Sequence, residues 1–161
     1  MERTRTIEWK DPFLTVRSAP GRTGLELIKD VFDGKLPPPP ITATMGFVGV
    51  EVKEGWAAFE GDPDESLFNP IGVIHGGWAM TLLDSAMGCA VHTTLAAGER
   101  YTTLEVKANF VRPITLETGR VRCEGTIVHR GSTVATAEAR LFVKSSGKLL
   151  AHGSTTCLVI R

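Results

Sequence analysis

No sign of charge prevails in this sequence: 18 Lys and Arg balance 18 Asp and Glu, for a formal net charge of zero. A nucleic-acid-binding chain usually carries a basic excess for the phosphates, so no nucleic-acid partner is expected. A chain without net charge also lacks the repulsion that keeps copies apart, which favours an oligomer. Cysteine is scarce. Cys89, Cys123 and Cys157 make an odd number and form no CxxC pair. Neither a disulfide framework nor a zinc knuckle is expected, and the three read as reduced, buried residues of a cytoplasmic protein. The N-terminal stretch Met1 to Lys10 carries Glu2, Arg3, Arg5 and Glu8 and no apolar run, so no signal peptide is expected. The longest weakly polar stretch, Ile71 to Leu95, is interrupted by His75, Asp84 and His92. It reads as a core helix rather than a membrane span. P-loop, GxGxxG, HExxH and GxSxG motifs are all missing, which removes the commonest nucleotide, zinc-protease and serine-hydrolase readings.

What is present is the composition of an ordinary globular chain. It has 161 residues, 42% of them hydrophobic and 22% charged. That length can bury roughly 70% of its unfolded surface without a metal or disulfide. Residues 1–40 read as an N-terminal arm. Gly24 to Phe32 is an amphipathic helix with Leu25, Ile28 and Phe32 on one side, Gly34 a candidate cap, and Pro37 to Pro40 a stiff linker. Residues 41–161 read as the main domain. Thr44 to Lys53 and Trp56 to Gly61 are expected strands turned by Glu54-Gly55, followed by a loop from Asp62 to Gly72. Gly76 to about Leu95 is a long, almost wholly apolar helix. Tyr101 to Arg112 alternates, with Leu104, Val106, Ala108 and Phe110 on one face and Thr103, Glu105, Lys107 and Asn109 on the other; Pro113 stops it. Gly119 to Arg130, Val134 to Lys144 and Leu149 to Ile160 complete the strands. Period-two alternation implies an antiparallel sheet with one covered face, so the class is α+β. A helix apolar on nearly every side must be covered on nearly every side. The expected solution is a sheet curled around it, with a second chain on the side left open.

The chemistry concentrates in Asn69 to Gly88. His75-Gly76-Gly77 stands where the helix begins, and the first turn of a helix offers free N–H groups and the positive end of its dipole. Glycines there let a carbonyl approach the backbone, as an oxyanion hole requires. Asp84 lies mid-helix among apolar residues, where a carboxylate is costly unless it is hydrogen-bonded or paired, so its presence suggests a task. Gly77, Asp84 and Gly88 fall within about 40° of one helical face. Each feature also has a plain reading: a loop-to-helix junction, a structural ion pair, close helix packing. Trp78, Met80, Met87 and Phe68 could floor a substrate pocket or simply fill the core. Cys89 has no helix N-terminus or base near it in sequence and is set aside as a nucleophile. His92, His129 and His152 have no metal-ligand spacing and read as surface or strand residues; no metal site is expected.

Asn69, Gly72, His75-Gly76-Gly77 and Asp84 together resemble the signature of the hotdog-fold acyl-CoA thioesterases of the PaaI (phenylacetate-pathway) type. Tyr101 to Pro113 and Gly147 to Gly153 resemble further segments of that family, and the likeness spans roughly residues 42 to 159. It implies a hotdog fold, an antiparallel sheet wrapped around one long central helix, with an N-terminal helical arm outside the core likeness. It implies acyl-CoA as substrate, with CoA part of the substrate and no separate cofactor, and a homodimer or dimer of dimers. Asp84 would be the catalytic carboxylate, and the Gly76 N–H, helped by Asn69, would polarise the thioester carbonyl. His75 would orient the helix start, Gly77 would border the substrate, and Thr103 (or Thr102, should the alignment slip) would position water or carboxylate. Many members read Gly-Arg in the turn near the CoA phosphates. Here it is Gly131-Ser132, with Arg130 as a possible substitute. A hotdog hydratase or dehydratase using His75, and a non-catalytic acyl-CoA-binding protein, are the rival readings. Geometry adds one constraint. Eight residues separate Gly76 from Asp84, about 12 Å along a helix, whereas both must serve one reacting carbon within about 3 to 4 Å of the atoms they touch. Each site should therefore take Gly76 from one chain and Asp84 from another.

Overall fold

The computed structural model describes residues 2–161. Its centre is the helix α4 (Gly76–His92), preceded by α1 (Phe13–Arg17), α2 (Gly24–Phe32) and α3 (Pro40–Met45). Six strands form one antiparallel sheet: β1 (Phe47–Lys53), β2 (Trp56–Gly61), β3 (Arg100–Phe110), β4 (Val121–Arg130), β5 (Val134–Val143) and β6 (Leu149–Ile160). Their spatial order is β1-β2-β4-β5-β6-β3, so β1 and β3 are the edges.

The sheet wraps α4 as the apolar helix requires. Trp78, Leu82, Leu83, Ala86, Met87 and Val91 are buried against it. The sheet's inner face is built largely of small residues, with Ala135, Ala137 and Ala139 in β5 and Ala151 in β6 all buried. In β4 even a methyl is excluded. A Cβ on Gly125 would fall 2.3 Å from the Ala86 carbonyl oxygen. The far end of the helix is tied to the first hairpin by Thr93. Its hydroxyl donates to the Ala90 carbonyl at 2.7 Å and accepts the Gly55 N–H at 2.8 Å, ending α4 at His92, three residues short of the expected Leu95.

Three expectations are corrected. The first strand starts at Phe47, because Thr44 and Met45 belong to α3. The last proline of the tetrad does not merely space two parts of the chain. Pro40 takes the first helical position, where its fixed φ suits the helix and its missing N–H costs nothing, and Gly46 stops the helix at φ 69°. The third correction is a bulge in β3. Thr103 pairs with Cys157 and Glu105 with Thr156, which leaves Leu104 as an extra residue. Leu104 is 58% exposed and Phe110 53% exposed, while Thr103, Val106 and Ala108 are each partly buried. The bulge resets the alternation so that Thr103 and Val106 share the covered side.

On the outer side of the sheet Glu60 is buried yet ionised. Burial alone would raise its pKa, but hydrogen bonds from Lys144 (2.7 Å) and Arg122 (3.0 Å) outweigh that and hold it below its ordinary 4.5. A carboxylate with a lowered folded pKa contributes stability above its unfolded pKa and loses it as pH falls through the folded value. Arg122→Met is therefore expected to cost on the order of 3 kcal/mol at pH 7, because it strips one cation from a buried charge. The deficit should shrink below about pH 4.5 as Glu60 protonates. Thermal melting of both proteins at several pH values checks this; a deficit independent of pH would mean the loss lies in packing.

Candidate active site

Asp84 occupies the open stripe of α4, between the turns buried by the sheet, and is half-buried rather than enclosed as its apolar neighbours suggested. The Thr103 hydroxyl donates to its Oδ1 at 3.3 Å. Thr102, next in the strand, is exposed and does not face the acid. One turn beyond Asp84, Gly88 leaves space that Tyr101 fills. A Cβ there would lie 2.7 Å from the Tyr101 hydroxyl oxygen. Burial, with the neighbouring Cys89, Cys157 and Asp84, pushes the Tyr101 phenol well above its ordinary 10.0, so it stays a neutral donor. Asp84, Ser85, Cys89 and Tyr101 form one side of a cavity of ≈ 560 Å³; its other side comes from the N-terminal residues, chiefly α2 and Pro37 to Ile41. Burial lifts the Cys89 thiol to about 12, with the Asp84 carboxylate adding to the rise, which suits an inert cysteine rather than a nucleophile.

The start of α4 is built separately. His75 is its N-cap, and its Nδ1 accepts the Gly77 N–H at 2.8 Å. The Gly77 donor is thereby occupied. The Gly76 N–H, at the first helical position, has no acceptor among the described residues. The preceding loop is held by Asn69, whose Oδ1 accepts the N–H groups of Ile71 (3.1 Å) and Val73 (3.3 Å). The Asn69 amide NH₂ makes no bond to the described residues. Two further bonds fix the approach to the helix, from the Ile74 N–H to the Ile114 carbonyl (2.9 Å) and from the His75 N–H to the Leu67 carbonyl (2.8 Å). Gly76 opens on a different cavity, of ≈ 330 Å³, which it shares with Phe110 and Arg112 but not with Asp84. One chain thus brings Asp84 to Thr103, and His75 to Gly76, Gly77 and Asn69, without joining the two groups.

The turn after β4 lies apart from both. Arg130 is bound to Glu99 at 2.5 Å and to the Gly131 carbonyl, and Glu99 also holds Arg161. Its charge is committed within the chain. Gly131 donates to the Val134 carbonyl at 2.8 Å and Ser132 is exposed. Of the expected pocket floor, Trp78 and Met87 are fully buried core, and neither they nor Met80 and Phe68 line the Asp84 cavity. His92 is not a free surface residue. It lies half-buried at the end of α4, its ring edge-on to Tyr101 at 5.5 Å, and burial lowers its pKa. The two residues the sequence reading missed, Tyr101 and Ser85, carried weak signals: Tyr101 stands two before Thr103 in the strand, and Ser85 follows Asp84. Among the described residues no group of three or more His, Cys, Asp or Glu could hold a metal ion, and no helix is long and apolar enough to cross a membrane.

Residues 71–150, from the loop before α4 to the start of β6, match the model of the thioesterase superfamily. A protein of Saccharolobus solfataricus named as an esterase is 31% identical over 112 residues, 70% of this chain and 77% of that one. This chain belongs to the thioesterase superfamily. Within that superfamily it is a hotdog protein of the PaaI type. A phenylacetic acid degradation-related thioesterase structure from Ralstonia eutropha is similar at 27% identity and TM-score 0.71, covering 81% of this chain and 97% of that one. The phenylacetic acid degradation protein PaaI from Thermus thermophilus, in a mutant structure, is 25% identical with TM-score 0.66, covering 74% and 97%. The chemistry of a thioesterase is hydrolysis of a thioester, and the matched stretch contains both Gly76 and Asp84.

Proposed function

We propose that this thioesterase hydrolyses acyl-CoA, the acyl group being aromatic or of short to medium length. The carrying observation is a carboxylate on an open helix stripe, oriented by the Thr103 hydroxyl and facing a cavity large enough for an acyl group. Asp84 serves as base or nucleophile. As base it takes a proton from water while the water oxygen bonds to the carbonyl carbon; the C–S bond then breaks, and the thiolate leaves as CoA and is protonated. As nucleophile its oxygen bonds first, releasing CoA, and water opens the resulting anhydride. Either route ends in the same acid and thiol. The Gly76 N–H, with the Asn69 amide, receives the negative charge that develops on the carbonyl oxygen.

Two copies complete each site on this reading. Gly76 and Asp84 of one chain face separate cavities. The edge strand β3 offers unpaired backbone groups and exposed Leu104 and Phe110 to a second copy, and Phe110 borders the Gly76 cavity. Arg112, which lines that cavity, replaces Arg130 as our candidate for a CoA phosphate, because the Arg130 guanidinium is tied to Glu99 and the Gly131 carbonyl. The three free cysteines suit a reducing compartment, and we place the protein in the cytoplasm.

Release of free thiol from acetyl-, hexanoyl-, octanoyl-, benzoyl- and phenylacetyl-CoA tests the activity. At least one ester should be cleaved well above the buffer rate. Tight binding of these esters with no cleavage would replace the hydrolase with an acyl-CoA-binding protein.

A further inference from the structure

We propose that the N-terminal segment is the roof of the acyl slot and sets which acyl groups the protein accepts, an inference that rests on the acyl-CoA reading above. The segment is fixed at both ends of the cavity that Asp84 faces. At one end the Gly24 N–H donates to the Leu95 carbonyl at 3.0 Å, and Phe32 packs edge-on against Phe59 at 5.3 Å. At the other end the Trp78 indole N–H donates to the Met45 carbonyl at 2.7 Å. Asp30 clamps the turn between them through Arg22 (2.7 Å) and Lys35 (3.0 Å). Between these anchors Pro37, Pro38 and Pro39 cross the cavity.

Polarity is segregated across the slot. Thr15 and Thr42 lie on the roof, but their hydroxyls donate to the carbonyls of Pro37 (3.1 Å) and Pro39 (2.8 Å). Proline has no N–H with which to pair these carbonyls; the Pro37 carbonyl is served by the Thr15 hydroxyl, and the Pro39 carbonyl also takes the Thr42 N–H at 3.0 Å. The roof therefore offers Ile28, Val31, Phe32, Ile41 and proline rings. The polar side chains not bonded within the roof, Asp84, Ser85, Cys89 and Tyr101, are all on α4 and β3. The CoA end of the substrate carries phosphates and amides and would leave them unsatisfied against such a roof. The acyl end would not. A volume of ≈ 560 Å³ lies within the range of small-molecule sites, and one end of it is the reacting carboxylate. The occupant is thus a single compact, mainly apolar acyl group, an aryl-acetyl or a medium alkyl chain, entering from Asp84 and running under α2. Acetyl should be a poor substrate, with kcat/KM rising about fourfold for each methylene buried until the slot is full.

Val31 lies between the Asp30 clamp and the Phe32 anchor, but its own side chain belongs to neither and faces the slot half-buried, so its size tests the roof without removing an anchor. Val31→Trp should lower the octanoyl-to-acetyl ratio of kcat/KM by tenfold or more, the scale on which pockets discriminate. Val31→Ala should move the optimum to longer chains. Binding of S-octyl-CoA, a thioether that cannot be hydrolysed, is measured by calorimetry on the same proteins, and melting curves show that each variant is folded. A shift of both turnover profile and thioether affinity supports the roof. An unchanged profile in both variants overturns it and leaves the hydrolase standing. Thioether binding that shifts with Val31, in a protein that cleaves no ester, keeps the slot and overturns the hydrolase. No binding and no cleavage overturns both. The two variants act in opposite directions, so failure of Val31→Trp to fold leaves Val31→Ala to decide.

Discussion

Asp84→Asn is expected to lower turnover by about 10²-fold or more, the usual scale for loss of a general base or nucleophile. The amide keeps the size of the side chain and can still accept the Thr103 hydroxyl that meets Oδ1 at 3.3 Å. What it loses is basicity and nucleophilicity. Stability should stay within about 1 kcal/mol, since the group is only half-buried and its one side-chain hydrogen bond survives. Binding of S-octyl-CoA should also survive. A purely structural aspartate predicts the opposite pattern, with activity roughly kept and melting temperature lowered. Steady-state kinetics and melting curves on the same preparations separate the two.

Gly76→Pro should be as damaging, at about 10²- to 10³-fold, because it deletes the proposed oxyanion donor itself. The substitution is unusually clean here. Gly76 is the first residue of α4, where proline is favoured, and His75 already holds φ −62° and ψ 134°, which the residue before a proline prefers. Gly76→Ala, which keeps the N–H, is the control and should retain most activity. The nearest atoms to its added methyl are those of the Phe110 ring, at 3.4 Å and beyond. Mixing the two inactive proteins carries the geometric argument further. A heterodimer of Asp84→Asn and Gly76→Pro has one site with both groups intact and one with neither. Activity should return on co-assembly, up to half that of one wild-type dimer, diluted by inactive homodimers. Heterodimers that form without recovering activity would mean that both groups act within one chain.

The parts of this fold that follow local rules were legible in the sequence. Gly24–Phe32, Trp56–Gly61 and Leu149–Ile160 stand at the expected bounds, because an amphipathic period, a Glu-Gly turn and strict alternation each mark them. The apolar length of α4 and the His75-Gly76-Gly77 start were equally plain. What failed depended on a single insertion or on distance along the chain. Counting by twos through β3 put Thr103 on the wrong side, because one extra residue, Leu104, reverses the count. The proline tetrad read as a linker because nothing local says that Pro40 begins a turn of helix. Arg130 looked free because its partner Glu99 stands 31 residues away. The cavity at Asp84 is half made by residues more than forty positions earlier, and no periodicity relates the two.

The alanine and glycine lining of the sheet has a bearing on the chemistry as well as on packing. With no side chain at Gly125, the β4 backbone comes up against the Ala86 carbonyl, and α4 is seated directly on the sheet. Asp84 rides on that helix and Thr103 on the sheet, so their relation is inherited from the scaffold. Among the described residues no ion pair holds the carboxylate in place. A group placed by its scaffold and met there by the Thr103 hydroxyl does not wait for substrate to arrange it. The entropy of aligning the acid is surrendered once, when the chain folds, rather than at every turnover.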